Sequence, residues 1–170
     1  MDFHLVQILV IMVMMPLTFS TIEMLYRNKR DNASDSGAII FKWILFWAVG
    51  IRSVSAGLVQ LIYPQYTAET IFELTSGTEF YIFIRELGVA NFAIGTTAII
   101  SAGLKDWRLP TAFISLIFNT LLAINHIIHF QAGANQFASL GADFFVVVML
   151  SYFLIKSIFK TIEKQEIFSR

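Results

Sequence analysis

A chain of 170 residues that is 56% hydrophobic and only 14% charged is composed to dissolve in lipid rather than in water. Twelve basic residues balance twelve acidic ones, which excludes the basic excess of a nucleic-acid-binding surface. With no cysteine, disulfides, thiolate metal sites and thiol catalysis are excluded as well.

A membrane-spanning helix needs about 20 predominantly apolar residues. Five runs meet that length, at roughly 4–26, 39–63, 80–103, 110–131 and 138–159. The expected fold is therefore all-α: a polytopic membrane bundle of five transmembrane helices forming one domain over residues 1–170.

The first run follows Met1-Asp2 without a basic n-region or a small-residue cleavage site, and it reads as a retained span. Its residues His4, Gln7, Ile11, Met14, Thr18 and Thr21 recur every three or four positions, a face turned inward. After "RNKRDNASDSG" (27–37), span two carries Arg52 beside the small and polar face Ser53, Ala56, Gly57 and Gln60. The loop "PQYTAETIFELTSGTE" (64–79) predicts a short amphipathic helix over the bundle, placed to act as a lid or plug.

Span three holds Arg85 and Glu86, then Gly88, Asn91 and Gly95 on a stripe where a neighbouring helix can approach closely. On span four, within "FNTLLAINHIIHF", residues Asn119, His126 and His129 share one face, with Asn125 at its edge. Span five contributes Asp143.

Basic loops stay on the cytoplasmic side. Arg27, Lys29 and Arg30 follow span one, Lys105 and Arg108 follow span three, and Lys156, Lys160, Lys164 and Arg170 end the chain. The expected topology is thus N-terminus outside and C-terminus inside, with Trp43, Trp47 and Trp107 anchoring the cytoplasmic interface.

With that orientation, a rise of 1.5 Å per residue puts Glu86 about 9 Å and Asp143 about 8 Å below the outer surface, with His126 at similar depth. Arg52 lies deeper, about 16 Å from the outer end of span two. Ionisable groups inside the hydrocarbon usually face the protein interior and one another. The candidate pocket is therefore Arg52, Arg85, Glu86, Asn91, Asn119, His126 and Asp143, in the outer half of the bundle.

"ELGVANFAIG" (86–95) with the later "NHIIH" (125–129) resembles a pattern of DUF6790, a family of small bacterial integral membrane proteins with no assigned activity. That pattern is Glu-x-Gly-x-Ala-Asn-x-x-x-Gly followed later by Gly-His. The resemblance implies that Glu86, Gly88, Asn91, Gly95 and His126 occupy motif positions, and that the chain is a multi-pass protein of the bacterial cytoplasmic (inner) membrane. The chain departs from the pattern at Asn125, where glycine is expected.

The leading functional expectation is a pocket for a small molecule, anionic or quinone-like, or for a metal ion. Arginine stays charged and presents several donors, while His126 and Glu86 supply groups able to exchange protons. The metal version uses Glu86, His126, His129 and Asp143, a mixed imidazole and carboxylate set suited to a divalent metal. It lacks the Glu-x-x-His and His-Glu-x-x-His spacings of familiar helical sites. Haem held between His4 and His126 ranks lower.

Two alternatives stand beside it. One is an accessory or assembly subunit, as a homo-oligomer or with a partner membrane subunit, whose polar network only specifies helix packing. The other is a proton-linked transporter, although the inner half offers only Glu23 and scattered Ser and Thr for a pathway. Neither a nucleotide fingerprint nor a Ser-His-Asp arrangement is present.

Overall fold

The computed structural model describes residues 3–29, 35–71, 79–128 and 134–168, with side chains for 6–29, 35–69, 79–128 and 137–159. Among the described residues five helices are long and apolar enough to cross a membrane: Val6–Asn28, Ser36–Ile62, Phe80–Gly103, Lys105–Ile128 and Phe137–Phe159. These are spans one to five of a multi-pass membrane protein. Among the described residues there is no strand. Leu17, Ile22, Phe83, Leu121 and Phe159 are among the many large apolar side chains left exposed. Such exposure suits a lipid solvent and would be a liability in water.

Spans one and two each contain a stretch of wider, π-helical turns, Val10–Met14 and Leu45–Ile51. In span one the stretch ends just before Pro16, which has no amide hydrogen to continue the regular bonding ladder. In span two it ends immediately before Arg52. Extra residues in such turns rotate the following face, and π-helical turns recur at functional positions. Span four tolerates Pro110 because that residue lies in the first turn of the helix Arg108–Ile128, where an amide hydrogen has no intrahelical partner.

Spans two and three pack through glycine. A Cβ at Gly95 would lie 2.6 Å from the Val54 amide nitrogen and 2.8 Å from the Gly50 carbonyl oxygen. A Cβ at Gly57 would lie 2.7 Å from the Phe92 amide nitrogen. Backbone thus meets backbone, the close approach that small residues permit in membranes. Below this contact Met12, Leu45, Val49, Ala98, Val146 and Leu150 close an apolar core from all spans except four, and Ala112 adds span four.

At the basic end, Glu23 of span one accepts hydrogen bonds from Arg27 Nε (3.0 Å), Trp43 Nε1 (2.8 Å) and Lys42 Nζ. Trp43 therefore serves an interhelical tie between spans one and two, and its ring packs at a tilt of 41° against Phe19 with centroids 4.9 Å apart. Trp107 is half exposed. Arg108 donates to the Ser101 and Ala102 carbonyl oxygens at 3.2 and 2.7 Å, satisfying the last turn of span three. Asp35 caps span two by accepting from the Gly37 amide at 3.0 Å.

At the opposite end, span two stops at Tyr63, and Pro64 opens a short helical segment, residues 64–71. Pro64, Thr67 and Ala68 are buried against the bundle, whereas Gln65, Tyr66 and Glu69 are exposed. The short amphipathic helix expected within 64–79 is described as far as Ile71, and its further apolar residues Phe72 and Leu74 lie outside the described residues.

Candidate functional site

Beneath the 64–71 segment lies a cavity of ≈ 910 Å³ bounded by spans one to five. Its rim includes Gln65, Tyr66 and Glu69, and its walls include Ile8, Ile11, Ala56, Val59, Leu87 and Leu122. Polar side chains gather on the interior side: Arg52, Gln60, Asn91, His126 and Asp143.

Arg52 organises this set. One guanidinium nitrogen, Nη2, donates to Asp143 Oδ1 at 2.7 Å and to Asn119 Oδ1 at 2.8 Å, joining spans two, four and five. Asp143 is 3% exposed, so its carboxylate depends on this cation for its place in the interior. The other carboxylate oxygen, Oδ2, lies 3.7 Å from His126 Nε2. Asn119 uses its amide nitrogen on the Ser115 carbonyl oxygen at 2.8 Å, so acceptor and donor are both used. One turn further down span four, the Ser115 hydroxyl is fully buried without a hydrogen-bond partner among the described residues.

A second buried pair lines the same cavity. Asn91 Nδ2 donates to Gln60 Oε1 at 2.9 Å across the glycine contact of spans two and three. Both side chains are buried, Gln60 at 8% and Asn91 at 6% exposed. Each retains polar atoms beyond this bond for a cavity occupant. Further toward the basic end the interior is mainly apolar, with Ala48, Val49, Val146 and Leu150 all but fully buried, and the hydroxyl residues Ser20, Ser101, Thr111 and Ser115 are buried among them.

Among the residues expected in the pocket, Arg52, Asn91, His126 and Asp143 line the cavity. Asn119 is buried behind it, against Arg52. Arg85 and Glu86 are placed elsewhere: both are exposed, and neither lines the cavity. The sequence did hold a signal for this. Successive helical residues turn by about 100°, so Glu86 points nearly opposite to Gly88 and Gly95, the residues that face span two.

His129 and the side chain of His4 lie outside the described residues. Among the described residues no three His, Asp or Glu side chains gather to hold a metal ion; His126 and Asp143 form a pair. Sequence reasoning missed Gln60 as the partner of Asn91 and Asn119 as the partner of Arg52. It also missed Lys42 as the partner of Glu23.

The model of DUF6790, a family of unknown function, matches residues 6–163. The chain belongs to the DUF6790 family. The match takes in all five spans, and with them every described residue of the cavity. Neither a curated protein nor a solved structure matches the chain.

Proposed function

We propose that the protein binds a small amphipathic molecule in the cavity beneath the 64–71 segment, with a quinone-like carbonyl head against Arg52, His126, Asn91 and Gln60. With the basic end in the cytoplasm of a bacterial cell, the cavity opens on the outer side of the inner membrane. The observation that carries the reading is the Arg52–Asp143 pair at the polar side of a ≈ 910 Å³ cavity with largely apolar walls. Binding sites for small molecules are mostly apolar concavities with a few convergent polar groups.

Charge favours a neutral head over an anion. Asp143 already neutralises Arg52, and Glu69 adds a negative charge at the rim. An anion would have to compete with Asp143 for the guanidinium, whereas a carbonyl oxygen can accept from the guanidinium hydrogens that Asp143 and Asn119 leave. Histidine beside such a carbonyl is suited to proton exchange.

Equilibrium dialysis of the purified protein against a short-chain benzoquinone, with a medium-chain fatty acid as the anionic comparator, tests the reading. Saturable quinone binding that Arg52→Ala abolishes in a folded protein is the expected result. Saturable binding of the fatty acid alone, or quinone uptake indifferent to Arg52→Ala, refutes it.

A further inference from the structure

Span three turns two unlike faces to its surroundings. Gly88, Asn91 and Gly95 are buried against span two. The opposite face, Ile82, Val89, Ala93 and Ile100, is exposed along the helix. Arg85 and Glu86 belong to this exposed side, and neither forms an ion pair or hydrogen bond among the described residues. Neighbours in sequence on a helix do not face each other, so the two charges cannot satisfy one another.

Depth makes this arrangement costly in a lone copy. Tyr81, whose hydroxyl donates to Glu69 Oε1 at 3.2 Å, marks the interfacial end of the span. Arg85 is one turn deeper, about 6 Å, and Glu86 about 7.5 Å deeper. The long arginine stem can carry its charge back toward the headgroups, but the shorter glutamate stem reaches less far. Hydrocarbon chains offer neither charge a partner.

The angular order identifies one that fits. At about 100° per residue, Ile82, Val89, Ala93 and Ile100 define the middle of the exposed face, with Glu86 to one side and Arg85 to the other. A two-fold axis along the membrane normal sets each flank of one helix against the opposite flank of its copy. Residue i then meets j while j meets i. Arg85 of each copy consequently stands beside Glu86 of the other, at depths differing by about one residue rise, 1.5 Å. Between Glu86 and Ala93 the exposed residues of this helix are Val89 and Phe92, both apolar, while Asn91 is buried on the other side.

We propose that the chain forms a two-fold dimer through the exposed face of span three, closed by two reciprocal Arg85–Glu86 pairs. The second copy is the occupant because it supplies both opposite charges, on the flanks and at the depth that a two-fold axis requires. This interface is independent of the cavity on the far side of the helix.

The absence of native cysteine makes a direct test possible. Ala93→Cys, near the face centre, is placed in lipid vesicles at low protein density and oxidised with copper phenanthroline. Phe113→Cys, exposed on span four, serves as the random-collision control. Ala93→Cys is expected to form disulfide-linked dimers at least about tenfold more readily, as adjacent Cα atoms require.

On that background Arg85→Glu and Glu86→Arg each reduce the yield by about tenfold, and the double swap restores it, the signature of coupled sites. Equal yields from positions 93 and 113, insensitivity to the single reversals, or failure of the double swap to restore the dimer overturns the proposal. An anionic headgroup docked on Arg85 would give that last outcome, because the swap removes the cation from position 85. All the substituted positions are exposed, and monodisperse elution of each variant separates loss of pairing from loss of folding.

Discussion

Breaking the Arg52–Asp143 pair should cost more than deleting it. Arg52→Met leaves a carboxylate that is 3% exposed without its cation. Removing one partner of a buried pair costs about 3–5 kcal/mol, and the lower end applies here because His126 Nε2, 3.7 Å from the other carboxylate oxygen, remains a polar neighbour. Asp143→Leu leaves an arginine side chain that is 18% exposed beside an open cavity, where water can reach it. That variant should lose less, about 1–3 kcal/mol for an unsatisfied polar group. The double variant replaces both charges with apolar groups of comparable volume, so its loss should be well below the sum.

The comparison that decides is with neutral interhelical hydrogen bonds in membranes, which average about 0.6 kcal/mol. A double-mutant cycle read by reversible unfolding in mixed micelles should give a coupling of at least about 2 kcal/mol if the ionic pair is the main tie among spans two, four and five. A coupling of about 0.6 kcal/mol, or a larger loss for Asp143→Leu than for Arg52→Met, would show the pair to be no more than another hydrogen bond.

The glycine contact should be equally sensitive to one carbon. Gly95→Ala places a Cβ 2.6 Å from backbone that cannot yield and should destabilise by about 1–3 kcal/mol in the same unfolding assay, whereas Gly141→Ala meets nothing within 4 Å and should be neutral or stabilising. Glu23→Gln removes the charge that gathers Lys42 and Trp43 and should cost about 1–3 kcal/mol, with a smaller loss when Lys42→Met accompanies it. In dialysis with the benzoquinone, Gln60→Leu and Asn91→Leu together should weaken binding by at least about tenfold, the equivalent of one lost hydrogen bond of ~1.4 kcal/mol. Glu86→Gln should leave that binding unchanged, because Glu86 does not line the cavity.

Composition and the lengths of the apolar runs determined that this is an all-α membrane bundle of five spans, because lipid leaves backbone amides no partner outside a helix or a closed barrel. The stripe of Gly88, Asn91 and Gly95 was legible for the same local reason: three and four residue spacings set one helix face whatever surrounds it. Depth along a helix was legible too, since it needs only a rise per residue, and it set Glu86, His126 and Asp143 at one level with Arg52 below them.

Which neighbour each face meets is a property of the assembled bundle. Arg52 had Asp143, Glu86 and several polar residues to choose among, and only the packing of spans two, four and five gives it Asp143 and Asn119. Glu86 shared a depth with His126 but not a direction, because the glycines beside it commit the other side of span three to span two. Lys42 and Glu23, distant in sequence, form a pair only where spans one and two meet at the basic end. Hydropathy and periodicity are sums over one helix, whereas pairing depends on rotations of several helices at once, and in this chain wide turns in spans one and two reset those rotations just ahead of Pro16 and Arg52.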